Sequence, residues 1–237
     1  MKTAISLVLL LLALPGFASA GTTYPDAVTF ESSYAIGPPM GFPYYPGIIG
    51  SPLVIVGVVS SVGAPFADLV PATPHELTFV YENATCAESG YYDGSCSDGN
   101  YSAYQGGTLS IYLDITPDAD FTTTGTFRDG ELVLVIAQQW PFVTKGDDPQ
   151  EACPMVEEDN PDLNGTFVCS GGSWLYRVIS GGQGFVSNFN GEVDRGDDVS
   201  PQLEAAGYVA RIHGGIDVIA PVATQPITWG RVKSMYR

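Results

Sequence analysis

Thr108-Leu-Ser-Ile-Tyr-Leu-Asp114 decides how this chain reads. Leu109, Ile111 and Leu113 alternate with Ser110 and Tyr112, the period-2 pattern of a strand with one buried face. Downstream, Glu131-Leu-Val-Leu-Val-Ile-Ala-Gln-Gln-Trp140 follows the turn sequence Arg128-Asp129-Gly130. With the Thr-rich stretch 121–127 before it, this predicts a β-hairpin. Upstream, the β-branched run within 51–62 (Val54, Ile55, Val56, Val58, Val59) predicts a buried strand, and Leu77-Thr-Phe-Val-Tyr81 another. Further strands are predicted at 166–170, 174–179 and 184–188, with a last pair, 208–212 and 216–219, around His213-Gly214-Gly215. Helical periodicity is nearly absent. Only 200–206 qualifies, with Ser200 as N-cap and Pro201 at the first position. Many short strands separated by turns predict an all-β domain, a β-sandwich or jelly roll with long loops and at most one short helix.

The ends of the chain read differently from this body. Lys2, the apolar run 4–14, the break at Pro15-Gly16 and Ala18-Ser19-Ala20 have the form of a secretory signal peptide over residues 1–20. The expected compartment is extracellular or cell-surface, with the periplasm as alternative, and no membrane span is expected after removal of the signal. The domain is expected over 21–219, a Pro/Thr linker over 220–228, and a basic, aromatic tail over 229–237. Of 9 Lys and Arg, three (Arg231, Lys233, Arg237) lie in that tail, which has no acid. All 26 acidic residues precede it, in a chain of formal net charge −17 over 237 residues.

That charge excludes a nucleic-acid footprint. A hydrophobic fraction of 45 % and 11 % aromatics exclude a disordered chain. The four cysteines, Cys86, Cys96, Cys153 and Cys169, suit an oxidising compartment. Pairing sequence neighbours, Cys86–Cys96 and Cys153–Cys169, would pin two Gly- and Asp-rich loops, 84–107 and 145–164, each bond worth about 3 kcal/mol on the loop-entropy argument.

Catalytic motifs are missing. His75-Glu76 opens like H-E-x-x-H, but Phe79 occupies the second ligand position. No G-x-S-x-G elbow or phosphate-binding loop occurs. The acidic doublets lie in polar stretches, where carboxylates stay ionised and make poor general acids. Calcium is the better chemical candidate, because it takes clustered hard oxygen ligands. Asn160, Asp162 and Asn164, followed by Gly165, have the alternation of a calcium loop but lack its closing Glu, since Gly171 stands there. Asp114, Asp118 and Asp120 form a second candidate set at a strand exit. Tyr91, Tyr92, Tyr101 and Tyr104 are candidates for an aromatic glycan-binding face.

The segments 104–114 and 127–134 resemble secreted bacterial β-rich proteins of uncharacterised function. The ending Trp229-Gly-Arg-Val-Lys-Ser-Met-Tyr-Arg237 is similar to a W-G-x-[IV]-K-x-x-Y-R tail on such proteins. The resemblance implies no activity. It implies that Trp229, Lys233, Tyr236 and Arg237 belong to a sorting or attachment element. Together these readings predict an exported, non-catalytic structural or binding protein whose partners are glycans or cell-surface or matrix components. The alternative is an extracellular carbohydrate-binding module or carbohydrate-active enzyme using the loop aromatics and acids.

Overall fold

A computed structural model of the chain describes residues 22–36, 47–92, 99–139, 142–147, 162–178, 186–194 and 199–220. The strands are β1 (Thr22–Ile36), β2 (Pro52–Val62), β3 (Glu76–Tyr92), β4 (Gly99–Gln105), β5 (Thr108–Asp114), β6 (Glu131–Gln138), β7 (Phe142–Asp147), β8 (Asp162–Gly171), β9 (Val186–Asp194) and β10 (Tyr208–Ala220). Helix α1 is Pro201–Ala205. Among the described residues, no helix is long and apolar enough to cross a membrane.

All ten strands belong to one antiparallel sheet, in the order β2-β1-β10-β9-β8-β6-β5-β3-β4-β7. β2 also pairs with β3, so the sheet closes on itself. β4 and β5 lie end to end along β3, which pairs β4 through Thr85–Tyr92 and β5 through Glu76–Glu82. β6 and β7 lie end to end in the same way against β5 and β4, and β8 pairs with both. The result is an up-and-down barrel of eight staves, two of them built from two successive strands. The two walls expected of a sandwich are here parts of one sheet whose edges are joined, which leaves few unpaired edges.

The alternation seen in the sequence supplies the barrel interior. Phe30, Leu53, Ile55, Phe79, Leu109 and Ile136 point inward and are at most 1 % exposed. Phe66 and Trp174 stack at one end of the barrel, with ring centroids 5.6 Å apart and planes at 25°. An ion pair between Arg177 and Asp68 ties together the turns that carry them. A second cluster covers the outer face, where Val56, Val80 and Tyr208 are buried beneath Phe121, Phe127 and α1.

Several local expectations change for identifiable reasons. Residues 121–127 are not a strand. The partner of β6 is β5, and Thr124–Phe127 is a 3-10 turn that places Phe127 beside Phe121, centroids 4.8 Å apart, on the outer cluster. Of the strand expected over 174–179, the described residues 174–178 do not extend either, because Leu175–Arg177 forms a turn next to Trp174. The two halves of 208–219 form one continuous strand. Of residues 84–107, expected as a loop, Thr85–Tyr92 and Gly99–Gln105 pair as strands β3 and β4. Within 145–164, β7 and β8 claim the described ends. Helix α1 is where the sequence puts it, and Ser200 Oγ accepts from the Leu203 N–H at 3.4 Å.

The pairing Cys86–Cys96 does not fit this register. Cys86 lies six residues before Tyr92, which pairs with Gly99. That run of strand is about 20 Å long. Three residues of chain from Gly99 to Cys96 recover at most about 11 Å. The remainder exceeds the Cα separation a disulfide spans, about 4.4–6.8 Å. Cys86 instead carries a buried thiol whose Sγ donates to the Glu88 carbonyl at 3.5 Å, and burial pushes its pKa up. No disulfide joins described residues: Cys169 is buried in the core, and Cys96 and Cys153 lie outside them.

Gly172 follows β8 at φ +89, and a Cβ there would sit 2.3 Å from the Val133 carbonyl oxygen. Gly172→Ala is therefore expected to cost on the order of 3 kcal/mol, from the left-handed backbone and the clash together. Urea unfolding at constant m-value would measure it. A loss below about 1 kcal/mol would show that the turn yields.

Candidate functional site

At the break between β4 and β5, one side chain of β6 gathers three contacts. Gln138 Oε1 accepts from Tyr81 OH at 2.9 Å and from the Gly107 N–H at 2.8 Å. Its Nε2 donates to the Tyr104 carbonyl at 2.5 Å. Gly107 has to be glycine here, because a Cβ would lie 2.2 Å from the Tyr81 hydroxyl. These contacts fill the interior at that level, where Tyr81 is 1 % and Tyr104 0 % exposed.

Tyr104 thus serves the core and is closed to a ligand at the surface. Tyr101 is half-buried, lies against Gly90 and donates to Glu88 Oε1 at 2.9 Å. Tyr91 is 74 % exposed. The Tyr92 side chain lies outside the described residues. Of the four tyrosines, Tyr91 alone stands open among those described.

The acidic set at the exit of β5 is partly as expected. Carboxylate oxygens of Asp114, Asp118 and Asp129 lie within 4.8 Å of one another. Asp120 does not join them. Its Oδ1 accepts from the N–H and Oγ1 of Thr122, both at 2.8 Å, and these bonds hold its carboxyl below the usual range. Asp129 takes the third place. It sits in the turn before β6, and Leu113 pairs with Glu131, so the turn folds back over Asp114. In sequence Asp129 is eleven residues from Asp118, and its only signal is its place in the Arg128-Asp129-Gly130 turn. Glu76 Oε2 accepts from the N–H groups of Asp118 and Ala119, at 3.2 and 2.8 Å, and fixes the loop. Local desolvation, then the charges of Asp129, Asp114 and Glu76, push the Asp118 carboxyl upward. The donors are hard oxygens at close range, which suits calcium.

For the other set, the backbones of Asp162 and Asn164 run in β8, not in a loop. Their side chains and Asn160 lie outside the described residues. Trp229, Lys233, Tyr236 and Arg237 also lie outside them.

Beside the acidic cluster runs a groove of about 490 Å³, lined by Val58, Val59, Val62, Val70, Leu77 and Pro117, with His75 and Glu76 on its wall. Its origin is a split seam. The β2–β3 ladder stops at Val58↔Thr78, although β2 continues to Val62 and β3 begins at Glu76. On that side the last four residues of β2 have no strand partner among the described residues. Comparison with known proteins returned no matching family model, curated protein or solved structure.

Proposed function

We propose that this chain is an exported structural or binding protein without catalytic activity, acting at the cell surface or in the extracellular matrix and stabilised by calcium. The observation carrying this reading is the filled barrel. Side chains such as Phe30, Phe79, Tyr81 and Tyr104 occupy its axis at 0–1 % exposure, so recognition falls to the outside and the rim. The polar features outside the barrel include a cluster of three carboxylates, Asp114, Asp118 and Asp129, and such hard oxygens suit a hard ion. The signal-like segment 1–20 and the surplus of acidic residues support export and solubility. Glycans or matrix components are the proposed partners, with the exposed Tyr91 as the aromatic contact open to them.

Thermal unfolding in EDTA and in millimolar Ca²⁺ tests this reading. At a tenfold excess over Kd, calcium should raise the midpoint by about 3–5 °C. Asp129→Asn should remove most of that rise. An unchanged midpoint would end the calcium part of the reading, and an empty glycan screen would end its partner part.

A further inference from the structure

The groove at the split β2–β3 seam joins three properties. Val58, Val59, Val62, Val70 and Leu77 give its lining an apolar part, and Ser60, Ser61, His75 and Glu76 a polar one. The end of β2 offers backbone without a ladder partner among the described residues, the setting in which an extended segment adds as a strand. Glu76 lies on its wall, and Asp114, Asp118 and Asp129 adjoin it through the Glu76 contacts to Asp118 and Ala119. An occupant should therefore be extended, partly apolar and basic.

The chain carries one such segment. Residues 229–237 hold Arg231, Lys233 and Arg237, no acid, and the apolar Trp229, Val232, Met235 and Tyr236. In an extended chain Trp229, Arg231, Lys233, Met235 and Arg237 share one face, and Val232, Ser234 and Tyr236 the other. The cations of the first face would meet the carboxylates.

The topology delivers this segment to the right end. Val62 of β2, Val28 of β1 and Ile216 of β10 lie in one row across the sheet. Two strand spacings put Ile216 about 10 Å from Val62, and Ala220 is about 13 Å further along β10. Residues 221–228 can span up to about 27 Å, enough to return to the groove.

We propose that residues 229–237 dock in the β2–β3 groove of their own chain, with their cations against Asp118 and Asp129. The inference goes beyond the surface role proposed above and does not depend on calcium. Calcium would compete for the same carboxylates, so the test is made in EDTA.

Trypsin cleavage after Lys233 in the whole chain is the readout, since proteolysis follows the population of the released segment. Reversing the groove charge with Asp118→Lys and Asp129→Lys should speed that cleavage about tenfold. Reversing the tail as well, with Arg231→Glu and Arg237→Glu, should slow cleavage well below the rate of the same tail reversal on the wild-type groove, a comparison that removes the effect of the new acids on trypsin itself. Amide exchange at residues 59–62 should rise with the groove variant and fall again with the double reversal. Equal cleavage rates in wild type and groove variant would overturn the docking. Protection that grows with protein concentration would overturn the intrachain occupant and assign the groove to a neighbouring copy.

Discussion

Between pH 10 and pH 12 the folded chain is expected to lose most of its stability. Tyr104 and Tyr208 are buried, and burial pushes both phenols from 10.0 to about 12. Tyr81 is pushed up further still, again by burial first. A phenol whose pKa is raised by folding stabilises the native state fully below pH 10. It withdraws that contribution as the pH climbs toward the folded value, because the unfolded chain releases the proton first. Tyr104 then removes about 1.4 kcal/mol per pH unit across the window, or about 3 kcal/mol, and Tyr208 acts in the same direction. With Tyr81 added, the loss matches the whole stability of an ordinary domain, about 5–15 kcal/mol.

Circular dichroism and tyrosinate absorbance recorded together against pH would check this. The two signals should change in one cooperative step. The hydroxyls of Tyr104 and Tyr208 have no hydrogen-bond partner among the described residues. Tyr104→Phe and Tyr208→Phe should therefore cost little at neutral pH and move the alkaline midpoint upward. Phenols that ionise near pH 10 while the circular dichroism stays native would contradict the packing described for them.

Phe66→Ala should be the most damaging single truncation of the core, at about 3–5 kcal/mol. Phe66 is 0 % exposed and stacks on Trp174 where the barrel is closed. Removing the ring leaves a cavity and opens the indole to water. Trp174 emission should shift to the red along with the lower denaturant midpoint. Phe66→Leu, which keeps most of the volume, should cost less than about 1.5 kcal/mol. If the alanine variant lost under 1 kcal/mol without a spectral shift, the plug would have no energetic role.

The residues of the candidate site differ in how far their sequence betrays them. Asp114 and Asp118 are close in the chain, so a local oxygen cluster was legible there. Asp120 is closer still to Asp118, yet Thr122 lies two residues on and captures its carboxylate in a turn. Asp129 joins only because β5 pairs with β6 across the intervening loop. Tyr104 reads as a loop aromatic among Gly, Ser and Tyr. It is core because β4 continues the line of β5 along β3. The groove has no sequence signature at all, since it is the place where two paired strands part company.

Sequence alone determined the all-β class, the positions of β2, β5 and β6, and the short capped helix after Ser200. These depend on period-2 alternation, turn chemistry and an N-cap, all set within a few residues. The tertiary structure decided that β1 would pair with β10 from the far end of the chain and that β2 would meet β3 to complete the ring. It also decided that the seam would open at Val58 and that a third carboxylate would arrive from a turn. The first joins segments remote in the chain, and the others depend on how far two neighbouring strands stay paired. Alternation tells a strand which face to bury but not which neighbour completes its hydrogen bonds.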